Sequence, residues 1–67
     1  MGKQELIDIM KEINVTKSGL ARLLGISVRT IRGWANEDIK IRGTSVVALR
    51  CLRFLNKLGY DYEVFTR

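Results

Sequence analysis

The sequence predicts an all-α fold: one compact domain of four or five helices, with a single candidate strand at its C-terminal end. Three observations point there. Apolar residues recur at three- and four-residue spacing along most of the 67-residue chain. Glycines and short polar stretches cut that pattern into separate helical segments. Sustained strand-like alternation is confined to Tyr60-Asp61-Tyr62-Glu63-Val64-Phe65.

Composition sets the outer limits. A chain of 67 residues makes one small domain, residues 1–67, whose core is marginal on its own. Its 46% hydrophobic content suits a folded protein rather than a disordered one. No run approaches the ~20 apolar residues of a membrane-spanning helix. No signal-peptide pattern opens the chain, so the expected location is the cytoplasm. Cys51 is the only cysteine and histidine is absent, which excludes an intrachain disulfide and leaves a zinc site without ligands. No acid, base, nucleophile or metal constellation stands out, so no enzyme activity, cofactor or small-molecule substrate is expected. The net charge of +5 favours a polyanionic partner. That charge is uneven: residues 1–38 carry six Lys/Arg against five Asp/Glu, and residues 39–67 carry six against two.

Lys3 to Ile13 reads as the first helix, with Leu6, Ile9 or Met10, and Ile13 on its inner face. Glu5, Asp8 and Glu12 fall on a solvated face, and the first two also suit the positive end of the helix dipole. Asn14-Val15 is the break. Thr16 is placed to cap a second helix, Lys17 to Leu24, in which Leu20, Ala21 and Leu24 share a face. Gly25 can adopt the positive φ that ends such a helix. Ser27 caps a third, Val28 to Ala35, with Ile31 and Trp34 inward. Two helices joined by a short Gly-containing turn form a helix-turn-helix unit, and the small Ala21 suits their tight crossing.

Asn36-Glu37-Asp38 is a polar loop. Ile39-Lys40-Ile41-Arg42-Gly43-Thr44 alternates apolar and basic residues, as in a loop anchored by its isoleucines with Lys40 and Arg42 displayed. Thr44 can cap the fourth helix, about Ser45 to Leu58, and Gly59 stops it. Val46, Val47, Leu49, Cys51, Leu52, Phe54, Leu55 and Leu58 cover more than half of that helix, leaving a stripe of Arg50, Arg53 and Lys57. A monomer's surface helix needs only about a 100° apolar stripe. The excess points to a partner, so residues 45–67 are the expected dimerisation region. Cys51 reads as a small buried hydrophobe. The tail has two readings: an antiparallel ribbon with its twofold mate, or packing of Tyr60 or Tyr62 on the fourth helix.

The run Leu20-Ala21-Arg22-Leu23-Leu24-Gly25-Ile26-Ser27, continued by Thr30-Ile31 and Trp34, resembles a known family. It is similar to the helix-turn-helix family of small phage repressors, Cro-like proteins and related bacterial regulators. Ala21, Gly25, Ile26, Ile31 and Trp34 carry the resemblance. It implies a lambda-repressor-like domain that binds double-stranded DNA with the third helix in the major groove, presenting Val28, Arg29, Arg32 and Gly33. Arginine's fork matches guanine O6 and N7, and Val28 suits a thymine methyl. Gly33 admits close approach of the backbone. The alternative for Arg29 and Arg32 is phosphate neutralisation alone. Phosphate contacts fall to Thr16, Lys17 and Ser18 at the start of the second helix, to Ser27 and Thr30, and to Asn36, Lys40, Arg42 and Thr44 beyond the third. Many family members carry Gln where this chain has Lys17, which offers a phosphate a point charge. Trp34 reads as core, with an indole N–H that a phosphate can reach.

The expected dimer contacts are Val46, Leu49, Arg50, Arg53, Phe54, Tyr60, Tyr62 and Val64. A symmetric homodimer would set its two third helices about 34 Å apart and require an inverted-repeat operator. The resemblance thus implies a transcriptional repressor of phage or mobile-element type, acting on a promoter and quite simply on its own. Two alternatives stay open. The Arg42 to Leu58 stretch also resembles antitoxin-type autoregulators of toxin–antitoxin operons. In a different class, a protein–protein adaptor would use the fourth helix for docking.

Overall fold

A computed structural model describes residues 1–37 and 39–62, and over these the chain is all-helical. Its elements are α1 (Lys3–Ile13), α2 (Lys17–Leu24), α3 (Val28–Asn36) and α4 (Thr44–Lys57). The first two spans coincide with those the sequence predicts. Four helices rather than five form among the described residues.

The boundaries have local causes. Thr16 Oγ1 accepts the Gly19 N–H at 3.0 Å, and Ser27 Oγ accepts the Arg29 N–H at 3.1 Å. Each satisfies one of the donors that a helix start leaves without an intrahelical partner. Gly25 closes α2 at φ 69°, where its N–H reaches the Arg22 carbonyl and the Ile26 N–H reaches that of Ala21. This pair of crossed bonds is the Schellman arrangement. It recurs after α4: Gly59 at φ 104° donates to Asn56, and Tyr60 donates to Leu55. α1 ends without a glycine, on Asn14 at φ 57°, because asparagine tolerates the left-handed conformation better than other side chains.

Three boundaries differ from expectation, one of them the end of α4, at Lys57 rather than Leu58. α3 runs one residue further and takes Asn36 out of the loop. α4 begins at Thr44 itself, and the residue before it, Gly43, sits at φ 65°, ψ −139°, a conformation essentially restricted to glycine. Thr44 is therefore the first helical residue rather than the cap.

α1 is the central element, packing on both α3 and α4, while α2 packs on α3. Leu6, Ile9, Ile13, Leu20, Ile31, Ile41 and Leu49 are fully buried, with Trp34 and Ala35 at the edge of the same cluster. Ile41 anchors the α3–α4 loop. It exchanges two hydrogen bonds with Met1: the terminal amino group donates to the Ile41 carbonyl, and the Ile41 N–H donates to the Met1 carbonyl, both at 3.2 Å. Ile39 is not the second anchor that the alternation suggests, since about half of it is exposed.

The tail resolves in favour of packing as far as Tyr62. That side chain is 3% exposed, and its hydroxyl donates to the Leu52 carbonyl of α4 at 2.9 Å. Its ring lies 4.7 Å from that of Tyr60, tilted by 56°. No strand occurs among the described residues. The rest of the candidate ribbon, with Val64, lies outside them.

The acidic face of α1 is not simply solvated. Arg53 donates to both oxygens of Glu12, at 2.6 and 2.9 Å, and Arg50 Nε reaches Glu5 Oε2 at 3.4 Å. The paired fork holds the Glu12 carboxyl below its ordinary range and raises Arg53 in turn. Cys51, expected inside, is exposed.

A candidate nucleic-acid interface on α3

The sequence of α3 divides it cleanly. Ile31, Trp34 and Ala35 are buried, which turns Arg29, Arg32, Gly33 and Asn36 outward at i, i+3, i+4 and i+7. Arg29, Thr30, Arg32 and Asn36 are exposed. Ser27, capping the helix, stands exposed at its start. A shallow groove of about 600 Å³ runs along this face, lined by Arg29, Thr30, Arg32, Gly33, Asn36, Glu37 and Ile39 with the edge of Trp34.

Two of the residues expected to read bases are placed differently. Val28 is half-buried and packs against the core, so only part of its side chain faces out. Gly33 is covered. A Cβ built there would lie 3.2 Å from Ile39 Cδ1, and the Gly33 carbonyl accepts the N–H groups of both Glu37 and Ile39. The missing side chain makes room for the loop that folds back over α3.

The other polar candidates are open to solvent. Thr16, Ser18, Thr30, Lys40, Arg42 and Thr44 are exposed. Thr16 and Ser27 use a lone pair in capping, and their hydroxyl protons are still available to donate. Lys17 bridges the helices of the motif: its ammonium donates to Asn36 Oδ1 at 3.0 Å, tying the start of α2 to the end of α3. An ammonium has three donors, so this bond leaves two.

Charge pairing separates the arginines of α3 from those of α4. Among the described residues no carboxylate pairs with Arg29, Arg32, Lys40 or Arg42, whereas Arg50 and Arg53 are both paired within the chain. Glu37 is the one carboxylate lining the α3 groove among the described residues. No three His, Cys, Asp or Glu side chains among them come together as metal ligands. No helix is long and apolar enough to cross a membrane.

The residues expected to form a dimer do not share one surface. Leu49 and Tyr62 are 0% and 3% exposed, held in the chain's own core. Val46 is half-buried against that core, and Arg50 and Arg53 face α1. Phe54 and Tyr60 are the well-exposed apolar members of the set. Val47, Leu55 and Leu58 are exposed too, and the sequence reading did not separate them. A signal for them exists in the spacing: Leu49, Leu52 and Arg53 project about opposite to Val47, Cys51, Phe54 and Leu58 at 100° per residue. None of the family models, curated proteins or solved structures compared with the chain matches it.

Proposed function

We propose that this chain is a sequence-specific, double-stranded DNA-binding transcriptional regulator that works as a dimer on an inverted repeat. One observation carries the reading: Arg29 and Arg32 stand one turn apart on the outer face of α3, without a carboxylate partner among the described residues. An arginine fork in that position can bond bidentately to guanine in the major groove. The hydroxyls of Thr16 and Ser27, the Lys17 ammonium, and Lys40 and Arg42 then supply phosphate contacts that fix its register. The resemblance of Leu20 through Trp34 to phage repressor and Cro-like helix-turn-helix regulators supports the same reading.

The size of the chain favours two copies. Its longest dimension is 30 Å, and successive major-groove faces lie about 34 Å apart. One chain therefore offers one α3 to one half-site. A dimer seated across a promoter represses by excluding polymerase, and its own promoter in the cytoplasm is the simplest target.

Selection of the protein on random duplex DNA, followed by titration of the enriched and scrambled sequences across a salt series, tests this. The expected result is an enriched inverted repeat and an affinity that falls log-linearly with salt. Equal affinity for enriched and scrambled duplexes would reject sequence-specific reading. Absence of DNA binding altogether would favour an adaptor.

A further inference from the structure

α4 carries two apolar faces, and the fold uses only one. Leu49 is the single fully buried residue of this 14-residue helix. On the opposite side Val47, Phe54 and Leu58 are 62%, 63% and 70% exposed, with Cys51 exposed between them and Leu55 alongside. Positions 47, 51, 54 and 58 advance by four, three and four residues. That is the seam by which one helix packs along another.

We infer that this outer face of α4 is the interface with a second copy of the chain. The inference rests on the proposed function only in taking the DNA-bound form to be a dimer. Three features select a second copy as the occupant. First, the 4-3-4 spacing calls for a helix of matching period, and an identical α4 supplies one through a twofold axis. Second, Glu5 and Glu12 already hold Arg50 and Arg53, which leaves Lys57 as the one α4 cation with no carboxylate partner among the described residues. An acidic partner would find Lys57 alone unpaired on this helix among the described residues. Third, the area fits. The four large side chains leave on the order of 400 Å² of apolar surface per chain, so roughly 800 Å² in a pair. Cys51, Ala48 and the stems of Arg50 and Lys57 border the seam and bring the total toward the ~1,200 Å² at which specific interfaces begin.

The test is sedimentation equilibrium of the whole chain without DNA, from about 1 to 300 µM, on the wild type and on Phe54→Glu and Leu58→Glu. The expected result is a reversible wild-type dimer and monomeric variants with unchanged helical circular dichroism. A monomeric wild type would overturn the inference, as would variants that remain dimeric. Cys51 gives a readout that needs no variant. It is the only cysteine, so its rate of alkylation by N-ethylmaleimide should fall severalfold as protein concentration crosses the dissociation constant. A rate independent of concentration would show that no second copy covers the face and leave it to a partner of different sequence. The DNA reading is judged separately: specific binding by a monomer would retain it, and a dimer indifferent to DNA sequence would reject it alone.

Discussion

α3 and α4 both carry two arginines about one turn apart, yet the fold treats the two pairs in opposite ways. On α4, Arg50 and Arg53 lie beside an acidic helix, and Glu5 and Glu12 neutralise them. On α3, Arg29 and Arg32 face outward with no carboxylate against them among the described residues, and Gly33 is covered by the chain's own loop. Apolar surface follows the reverse pattern. α3 buries its apolar face almost completely, whereas α4 leaves a row of large side chains in water. The difference teaches that residue type alone does not mark an interface. What a neighbouring element has already satisfied decides which groups are left for a partner.

The comparison can be broken most directly within α4. Leu49→Ala removes a side chain with no exposure and should lower folding stability by about 2–5 kcal/mol. Leu58→Ala, on the outer face, should change monomer stability by only about 0.5 kcal/mol or less. Urea denaturation below the dimer dissociation constant measures both. Equal losses would mean that the outer face is packed within the chain.

The arginine pairs give the next contrast. Arg29→Ala should lose about 1–3 kcal/mol of DNA binding and relax preference at one position per half-site. Lys40→Ala should weaken all sequences alike and reduce the salt slope by roughly one. Arg50→Ala, a residue occupied with Glu5, should leave both quantities unchanged. Titrations of the selected duplex with each variant would expose a wrong division if the three profiles coincided.

Gly33→Ala sharpens the account of the recognition face. Alanine is about 1 kcal/mol better than glycine inside a helix. The added Cβ meets only the end of Ile39, a half-exposed and adaptable side chain. The variant should therefore be more stable by up to about 1 kcal/mol in thermal melts and retain DNA affinity. Loss of affinity without loss of stability would restore Gly33 to the duplex contact.

The smallest effect belongs to the Glu12–Arg53 pair. Hydrogen bonding to Arg53 lowers the Glu12 pKa from its ordinary 4.5, so in acid the folded chain binds fewer protons here than the unfolded one. The pair's contribution is complete above the ordinary value and disappears as pH falls through the folded-state pKa. Glu12→Gln should flatten that acid limb of the stability curve. A limb unchanged in the variant would assign the pH dependence to other carboxylates.

Much of this arrangement was legible in the sequence. The caps Thr16 and Ser27 and the stops Gly25 and Gly59 act through bonds only a few residues long, so their chemistry could be read directly from the chain. Helical spacing likewise fixed Leu6, Ile13, Ile31 and Trp34 as core, and left open the choice between Ile9 and Met10 that packing made for Ile9. The candidate site was legible in part: Arg29 and Arg32 are outward as expected, but the covering of Gly33 by Ile39 depends on how the loop returns. Placing Leu49 and Tyr62 on a dimer surface failed because an apolar residue is equally suited to its own core or a partner's.

The sequence by itself determined the four helices, both ends of α1 and α2, and the inner and outer sides of α3, since periodicity and capping are local. Tertiary structure alone decided that α1 lies against α4, and from this everything else about α4 follows. The proximity of Glu5 to Arg50 and of Glu12 to Arg53 spans more than forty residues, and no local rule encodes it. Once those charges are matched inside the chain, Arg29 and Arg32 of α3 and Arg42 of the loop after it are left with no carboxylate against them among the described residues. The apolar surface left over belongs to the far side of α4.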